Sequence, residues 1–136
     1  MKTSTKEIKY CLESSFIIDL LSAKTNAIQV YEKIKNAPLT IASIASVVFF
    51  EIIRGREQKP EKIQMFEQFK RKLTILPFGE REAEEANKIE RAIRKKGQSI
   101  TPLDLLIGAT AKANDAILVT NDKGYNKIRG LKVQNY

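Results

Sequence analysis

The amino-acid sequence predicts an α/β fold in which a central parallel sheet of about five strands is flanked by helices. Short runs with strand character alternate along the chain with longer segments of helical period, and this alternation is typical of parallel sheets. The chain has 136 residues, of which 43% are hydrophobic and 29% are charged, as in an ordinary globular domain. No repeat, linker or low-complexity segment divides it, so we expect a single domain over residues 1–136.

The predicted strands are short and bounded by turn residues. In residues 8–13, Ile8, Tyr10 and Leu12 alternate with more polar residues, which indicates a strand with one buried face. Pro77 ends a later strand because proline cannot donate to a sheet ladder. The remaining predicted strands cover residues 38–41, 73–76, 116–120 and 131–133.

The predicted helices are bounded by capping residues, prolines and glycines. Ser14 or Ser15 can cap the first helix, and Thr101 followed by Pro102 is a favoured helix start. Gly55 and Gly97 follow two apolar periodic segments as stop signals. The predicted helical segments are 15–24, 25–37, 43–55, one within 54–72 centred on Ile63, Met65, Phe66 and Phe69, 79–97, one beginning at 101–102, and a short one at 121–128.

The chain is strongly basic, and its composition excludes several chemistries. The 24 Lys and Arg residues against 16 Asp and Glu residues give a net charge of +8, which favours a polyanionic partner such as nucleic acid. There is no histidine and one cysteine, Cys11, so zinc sites and Ser-His or Cys-His catalysis are excluded or nearly so. A bound metal would be a hard ion with oxygen ligands. The N-terminus lacks a signal-peptide core and no apolar run is long enough to span a membrane, so we expect a cytoplasmic protein.

Four acidic residues lie at distinctive places in this predicted fold. Glu13 ends the first strand, Glu51 lies in an apolar helix, Asp104 begins a helix and Asp122 follows a late strand. The carboxyl ends of parallel strands face one crevice, where clustered carboxylates repel one another unless a cation neutralises them. Each acid also has a purely structural interpretation. Asp104, for example, can complete a capping box with Thr101.

Glu51 is the hardest of the four to explain structurally. Ile44, Val48, Glu51 and Gly55 follow the i, i+4, i+7, i+11 spacing of one helix face. A carboxylate in an apolar stripe requires an arginine, a proton or a cation. We therefore interpret the four acids as a possible site for Mg²⁺ or Mn²⁺, which can activate water for phosphodiester hydrolysis.

Four segments carry these acids in a fixed order and resemble the motifs of a known family. The family is the PIN-domain ribonucleases and, within them, the VapC-type toxins. Its first two motifs are Leu-Asp-Thr/Ser after the first strand and a helical Glu followed by Gly. Its last two are the Asp-x-x-Ile-Ala-Ala-x-Ala signature and the closing Leu-Val-Thr-x-Asn/Asp-x-x-Phe/Tyr. The segments are Leu12-Glu13-Ser14-Ser15, Glu51-Ile52-Ile53-Arg54-Gly55, Asp104-Leu105-Leu106-Ile107-Gly108-Ala109-Thr110-Ala111 and Leu118-Val119-Thr120-Asn121-Asp122-Lys123-Gly124-Tyr125.

The resemblance implies a PIN-like domain with a five-stranded parallel sheet and Mg²⁺- or Mn²⁺-dependent endoribonuclease activity. It also implies a homodimer, and a cognate antitoxin that covers or enters the acidic site. One departure stands out, because the family's first acid is almost always Asp and here it is Glu13. The extra methylene moves the carboxylate by roughly 1.5 Å, a scale to which metal sites are sensitive.

We therefore predict that Glu13, Asp104 and Asp122 bind one or two ions, with Glu51 ligating directly or through water. Side chains that could orient these ligands, and basic residues that could contact phosphates, are predicted around them. The orienting candidates are Ser15, Thr120 and Asn121. The phosphate-contact candidates are Arg54, Arg56, Arg94, Lys95 and Lys96.

Three other functions compete with this hypothesis. A degenerate PIN domain could bind RNA or a protein without cleavage, and Glu13 is its main support. A receiver-like phospho-switch needs an acceptor Asp after the middle strand, where the chain reads Leu76-Pro77-Phe78-Gly79. A small basic DNA-binding protein would explain the charge but not the acid at position 51.

Overall fold

The computed structural model describes residues 6–56 and 59–136, with the Arg56 side chain outside the described part. Strands and helices alternate along the chain. The strands are β1 (Ile8–Leu12), β2 (Thr40–Ala45), β3 (Thr74–Leu76), β4 (Ile117–Val119) and β5 (Val133–Gln134). The helices are α1 (Ser14–Leu21), α2 (Thr25–Asn36), α3 (Ser46–Arg56), α4 (Pro60–Lys70), α5 (Glu80–Lys95) and α6 (Pro102–Ala113), and a 3₁₀ helix covers Lys123–Lys127.

The five strands form one parallel sheet in the order β3-β2-β1-β4-β5. This confirms the predicted α/β fold with a central parallel sheet flanked by helices. The chain first builds outward on one side of β1, through β2 and β3, and then crosses to the other side with β4 and β5. The crevice at the carboxyl ends of β1 and β4 is therefore the topological switch point, where open parallel sheets bind ligands.

The core lies on both sides of the sheet and is mostly apolar. Leu12, Phe16, Ile44, Ile107 and Leu118 are completely buried, as expected for a sheet that is covered on both faces. The lone thiol belongs to this core, and burial raises the pKa of Cys11 to about 12, which makes it a poor nucleophile. Among the described residues, the helices are all too short or too polar to cross a membrane.

The prediction for residues 38–55 was wrong in detail. The strand was expected at 38–41 and the helix at 43–55, but β2 continues to Ala45 and α3 begins at Ser46. Residues 43–45 pair with β3 on one side, and the Ser43 hydroxyl donates a 2.6 Å hydrogen bond to the Tyr10 carbonyl. These pairings outweigh the helical period, so Ile44 is not on the same helix face as Glu51.

Candidate active site

Two neighbouring strands deliver acidic segments to the switch point. Glu13 follows β1 directly, and Thr120 and Asp122 follow β4. Leu12 and Val119 are register partners, and the Glu13 amide donates to the Val119 carbonyl at 3.2 Å. The two strand ends are therefore locked side by side, which places the motifs that follow them in contact.

Glu13 is a buried carboxylate, with 5% of its surface exposed. Thr120 donates its hydroxyl to one oxygen and Ser14 donates to the other, each at 2.9 Å. Burial raises the pKa of Glu13 above its ordinary value, and the negative charge of Glu51 raises it further, while the hydrogen bonds from the two hydroxyls and the Ser15 backbone act in the opposite direction. The protein thus holds this side chain where its ionised form is unfavourable.

Ser14 joins the first two acids. Its hydroxyl oxygen lies 2.9 Å from Glu13 Oε2 and 2.9 Å from Glu51 Oε1. A hydroxyl has one proton, so it can satisfy only one of these carboxylates at a time. Glu51 reaches this position from α3, and it is half-buried. Glu13 and Glu51 therefore lie close together and share one hydroxyl donor.

Asp104 and Asp122 form a second pair around Gly124. A methyl group built on Gly124 would lie 3.1 Å from Asp122 Oδ1 and 3.6 Å from Asp104 Oδ2. The Gly124 amide donates to Asp122 at 2.8 Å, and the buried Tyr125 hydroxyl donates to Asp104 at 3.2 Å. The absence of a side chain at this glycine thus leaves a cradle between two carboxylates.

Tyr125 links the two pairs electrostatically. Its pKa is raised above its ordinary value, first by burial and then by the negative charges of Glu13, Asp104 and Glu51. These three charges, which come from both pairs, act on the one buried hydroxyl. The neutral, protonated phenol is the form that can donate to Asp104.

No lysine or arginine in the described part of the chain forms an ion pair with any of these four acids. Across the same residues, no three carboxylates converge closely enough to enclose an ion by themselves. Mg²⁺ usually keeps several waters and takes only one or two protein carboxylates. A single pair of carboxylates therefore supplies as many ligands as Mg²⁺ usually takes from a protein. The all-oxygen ligand set and the cradle at Gly124 also suit a hard divalent ion.

The three predicted orienting residues differ in what they do. Thr120 is fully buried, donates to Glu13 and accepts from the Asp122 amide at 3.0 Å. Asn121 instead binds the backbone of Tyr136, with its amide donating at 2.7 Å and its oxygen accepting at 2.8 Å. Ser15 is exposed, and the hydroxyl that contacts the carboxylates belongs to Ser14.

The predicted basic residues are spread over two regions. Arg54 is exposed on α3 and stacks 5.0 Å from the centre of the Phe50 ring. Arg94 pairs with Glu90 at 3.3 Å, while Lys95 and Lys96 lie exposed where α5 ends. The Arg56 side chain lies outside the described residues. The structure thus does not gather these residues around the acids as one set.

Sequence reasoning missed two contributors, Ser14 and Tyr125. Ser14 was considered as a helix cap and as a member of the first motif, but the cap position is Glu13 and the serine hydroxyl lies between two acids. Tyr125 was noted only as the last residue of the closing motif. Its hydrogen bond to Asp104 spans 21 positions, and nothing local in the sequence indicates such a contact.

Comparison with known proteins assigns the chain to a family. Residues 10–131 match the PIN domain. "Ribonuclease VapC2" of Haemophilus influenzae is 26% identical over 133 residues, which cover 95% of this chain and 98% of that protein.

Solved structures support the same relationship. The VapBC2 complex of Rickettsia felis, described as bound to a DNA fragment from its promoter, contains a chain 25% identical with a TM-score of 0.84, over 95% of this chain and 99% of that one. VapBC-5 from Mycobacterium tuberculosis, described as a member of the VapBC family of toxin–antitoxin systems, is 16% identical with a TM-score of 0.69, over 93% and 96%. The latter likeness concerns the fold.

Proposed function

Because the chain belongs to the PIN-domain family, we propose that it is a VapC-like endoribonuclease that uses Mg²⁺ or Mn²⁺ to hydrolyse RNA phosphodiester bonds. One observation carries the proposal: two pairs of carboxylates lie at the switch point, and no lysine or arginine among the described side chains forms an ion pair with them. Such a site is costly without a cation. The net charge of +8 on the whole chain suits an RNA substrate that is itself a polyanion.

Asp104, Asp122, Glu13 and Glu51 would hold the ion. When bound, a divalent ion would polarise water and offset the negative charge that develops on the phosphate during hydrolysis. The residues of the chain would orient the ligands of this ion. Neighbouring hydroxyls fix the direction of the carboxylate oxygens, because a ligand whose orientation is held by a second hydrogen bond binds more strongly.

Each carboxylate pair has its own positioning groups. Thr120 holds Glu13 from the side of β4 and accepts from the Asp122 amide, so it couples the two strand ends. Tyr125 holds one oxygen of Asp104 and leaves the other beside the Gly124 cradle. Neither hydroxyl needs to move a proton for this role, since burial and the negative charges around the Tyr125 hydroxyl keep it protonated.

Cleavage of total RNA tests this proposal. The purified protein, free of any partner, is incubated with Mg²⁺, with Mn²⁺ and with EDTA. We expect cleavage that requires the metal and that is abolished in Asp104→Asn, with a thermal melt nearly unchanged in that variant. An Asp104→Asn protein that still cleaves at the wild-type rate would contradict the assignment.

Asp115→Asn is the matched control. Asp115 is exposed and pairs with Lys132, outside the acidic site. Its φ of 52° lies in the left-handed region, which asparagine tolerates well. We expect this variant to fold and to cleave as the wild type does, which separates loss of a site carboxylate from loss of charge alone.

A degenerate PIN domain that binds RNA or a protein without cleavage is the second candidate. It is favoured by Glu13, whose two oxygens already accept hydrogen bonds from Thr120 and Ser14 in a nearly closed environment. The thermal melt distinguishes the two. A metal-binding enzyme gains about 2.7 kcal/mol of stability when the ion is at a hundred times its dissociation constant, whereas a degenerate binder shows no such gain.

We also propose a cognate antitoxin as the partner, a homodimer as the assembly and the cytoplasm as the place of action. The VapBC relatives support the antitoxin. Two large apolar side chains on α3, Phe50 and Ile53, are exposed, and three positions apart they share a helix face that an antitoxin could cover. Co-expression with the product of the neighbouring gene should yield a complex that Phe50→Ser weakens.

A chain that elutes as a monomer in size-exclusion chromatography would contradict the dimer.

A further inference from the structure

A basic groove lies outside the acidic site, between α5, α6 and the segment after the 3₁₀ helix. It encloses about 250 Å³. Five cationic side chains line it against one carboxylate, that of Glu85. The cations are Lys88, Lys96, Lys112, Lys127 and Arg129.

The positive charge of this groove exceeds that of two other cavities in the described structure. A second cavity of the described structure is lined by one cation and one anion, Lys33 and Glu32, with neutral residues. A third is lined by three lysines against two acids, Glu7 and Asp115. Of these three cavities, the α5–α6 groove has the largest excess of positive charge, which attracts an anion with several negative groups.

Two of the cations are held in place. Lys112 pairs with Glu85 at 3.5 Å, and a methyl group on Gly130 would lie 3.4 Å from Lys112 Cε, so the lysine stem passes over that glycine. Lys127 donates to the Ser99 carbonyl at 2.8 Å. These contacts order the side chains without placing a carboxylate on Lys127, so its charge remains available to a ligand.

The other three cations have no competing anion. Lys88, Lys96 and Arg129 are exposed, and none of them forms an ion pair within residues 6–56 and 59–136. The floor between them is apolar, formed by Ile89 and Ile93 of α5. The positively charged rim suits the phosphate backbone of a nucleotide strand, which grooves of this charge follow.

The groove is physically connected to the acidic site. Lys127 ends the same 3₁₀ helix that carries Tyr125 to Asp104. Its hydrogen bond to Ser99 reaches the loop just before α6, the helix whose first turn contains Asp104. One short segment therefore contributes both to the acidic site and to the groove wall.

We propose that the α5–α6 groove binds phosphates of the RNA strand away from the bond that is cut. The inference rests on the proposed ribonuclease function and adds a second contact region for the same substrate. Phosphate contacts position a strand without reading its sequence. The groove therefore sets affinity and the salt dependence of binding, and the acids carry out the cleavage.

The double variant Lys88→Ala/Arg129→Ala tests the groove, because both side chains are exposed and unpaired in the described structure. Its matched control, Lys33→Ala/Lys35→Ala, removes two exposed charges from α2, which does not line the groove. Cleavage kinetics on a short fluorescein-labelled single-stranded RNA give KM and kcat. Fluorescence anisotropy with EDTA present gives binding without cleavage over a range of salt concentrations.

We expect the groove variant to raise KM by roughly fivefold or more with kcat nearly unchanged. The slope of log affinity against log salt should become shallower by about 1.4, since each neutralised phosphate of a single strand contributes roughly 0.7. The control variant should change each quantity much less. A charge-reversed Lys88→Glu/Arg129→Glu protein should extend the effect in the same direction.

The outcomes separate this inference from the proposed function. A wild-type protein that cleaves RNA, with the groove variant equal to the control in KM and salt slope, would overturn the groove. A groove variant that weakens capture of the co-expressed antitoxin but not of RNA would overturn it too, and would make the groove a protein-binding surface. A wild-type protein that cleaves no RNA with either metal contradicts the proposed function instead, whatever anisotropy shows.

Discussion

Glu13 is the residue at which stability and function oppose each other. It is buried beside a second carboxylate, and its bonds come from two neutral hydroxyls. A purely structural side chain at this position would be apolar or neutral, because an unpaired buried charge is costly. Functional sites often keep such costly arrangements, and their removal often stabilises the protein.

We predict that Glu13→Gln stabilises the metal-free protein by about 1 kcal/mol while it abolishes RNA cleavage. The amide keeps the shape of the side chain and can accept the Thr120 hydrogen bond, but it carries no charge to repel Glu51. Chemical denaturation in EDTA measures the stability. If Glu13→Gln is no more stable than the wild type, the charge of Glu13 does not destabilise the metal-free protein.

The pH dependence of the same two proteins follows from the raised pKa of Glu13. A carboxyl whose folded pKa lies above its ordinary value of 4.5 binds its proton more tightly in the folded state. Its stabilising contribution is present below pH 4.5 and is lost as pH rises through the folded pKa. The advantage of Glu13→Gln over the wild type should therefore grow over this interval, and a constant difference would contradict the account.

At the level of elements, the contact between α6 and the 3₁₀ helix sets the position of the second acid pair. Gly108 lies in the middle of α6, and a methyl group there would overlap Ile128 Cδ1. Ile128 is buried, and it follows the 3₁₀ helix that places Tyr125 against Asp104. The glycine lets the two elements approach closely enough for that hydrogen bond.

Gly108→Ala should destabilise the protein even though alanine favours helices by about 1 kcal/mol over glycine. Overpacking a buried contact costs about 1–3 kcal/mol, so the net effect is unfavourable. Ile128→Val removes the overlapping methyl group. It should lower the stability of the wild type by about 1 kcal/mol, but it should leave the stability of the Gly108→Ala protein unchanged or raise it. Additive effects in this double-mutant cycle would contradict the close contact.

The sequence predicted most elements but not every boundary, and the role of the four acids stays a prediction. Local signals were strong for α5, whose first turn is acidic, and for α6, which begins with Pro102. The structure confirmed both helices. The boundary between β2 and α3 depends on pairing with β3, about 30 positions away, which local periodicity does not contain. The bonds of Ser14 to Glu51 and of Tyr125 to Asp104 are long-range for the same reason.

On the scale of the whole molecule, the fold separates two kinds of charge. The strand order of the parallel sheet places acids at the crevice between β1 and β4, and the helices beyond it carry the cations of the α5–α6 groove. The four-motif resemblance already implied the crevice. Of the groove's five cations only Lys96 was among the predicted phosphate contacts, because the others are brought beside it from α5, α6, the 3₁₀ helix and the segment after that helix only in the folded chain.

The central claim is that the two carboxylate pairs at the switch point bind divalent metal, and calorimetric titration of Mn²⁺ tests it most directly. Wild type, Asp104→Asn and the control Asp115→Asn are titrated under the same low-salt conditions without RNA. The account predicts that the wild type and the control bind Mn²⁺ alike and that Asp104→Asn loses at least about tenfold in affinity. A wild-type protein that binds no Mn²⁺, or an Asp104→Asn protein that binds it as tightly as the wild type, would contradict the claim.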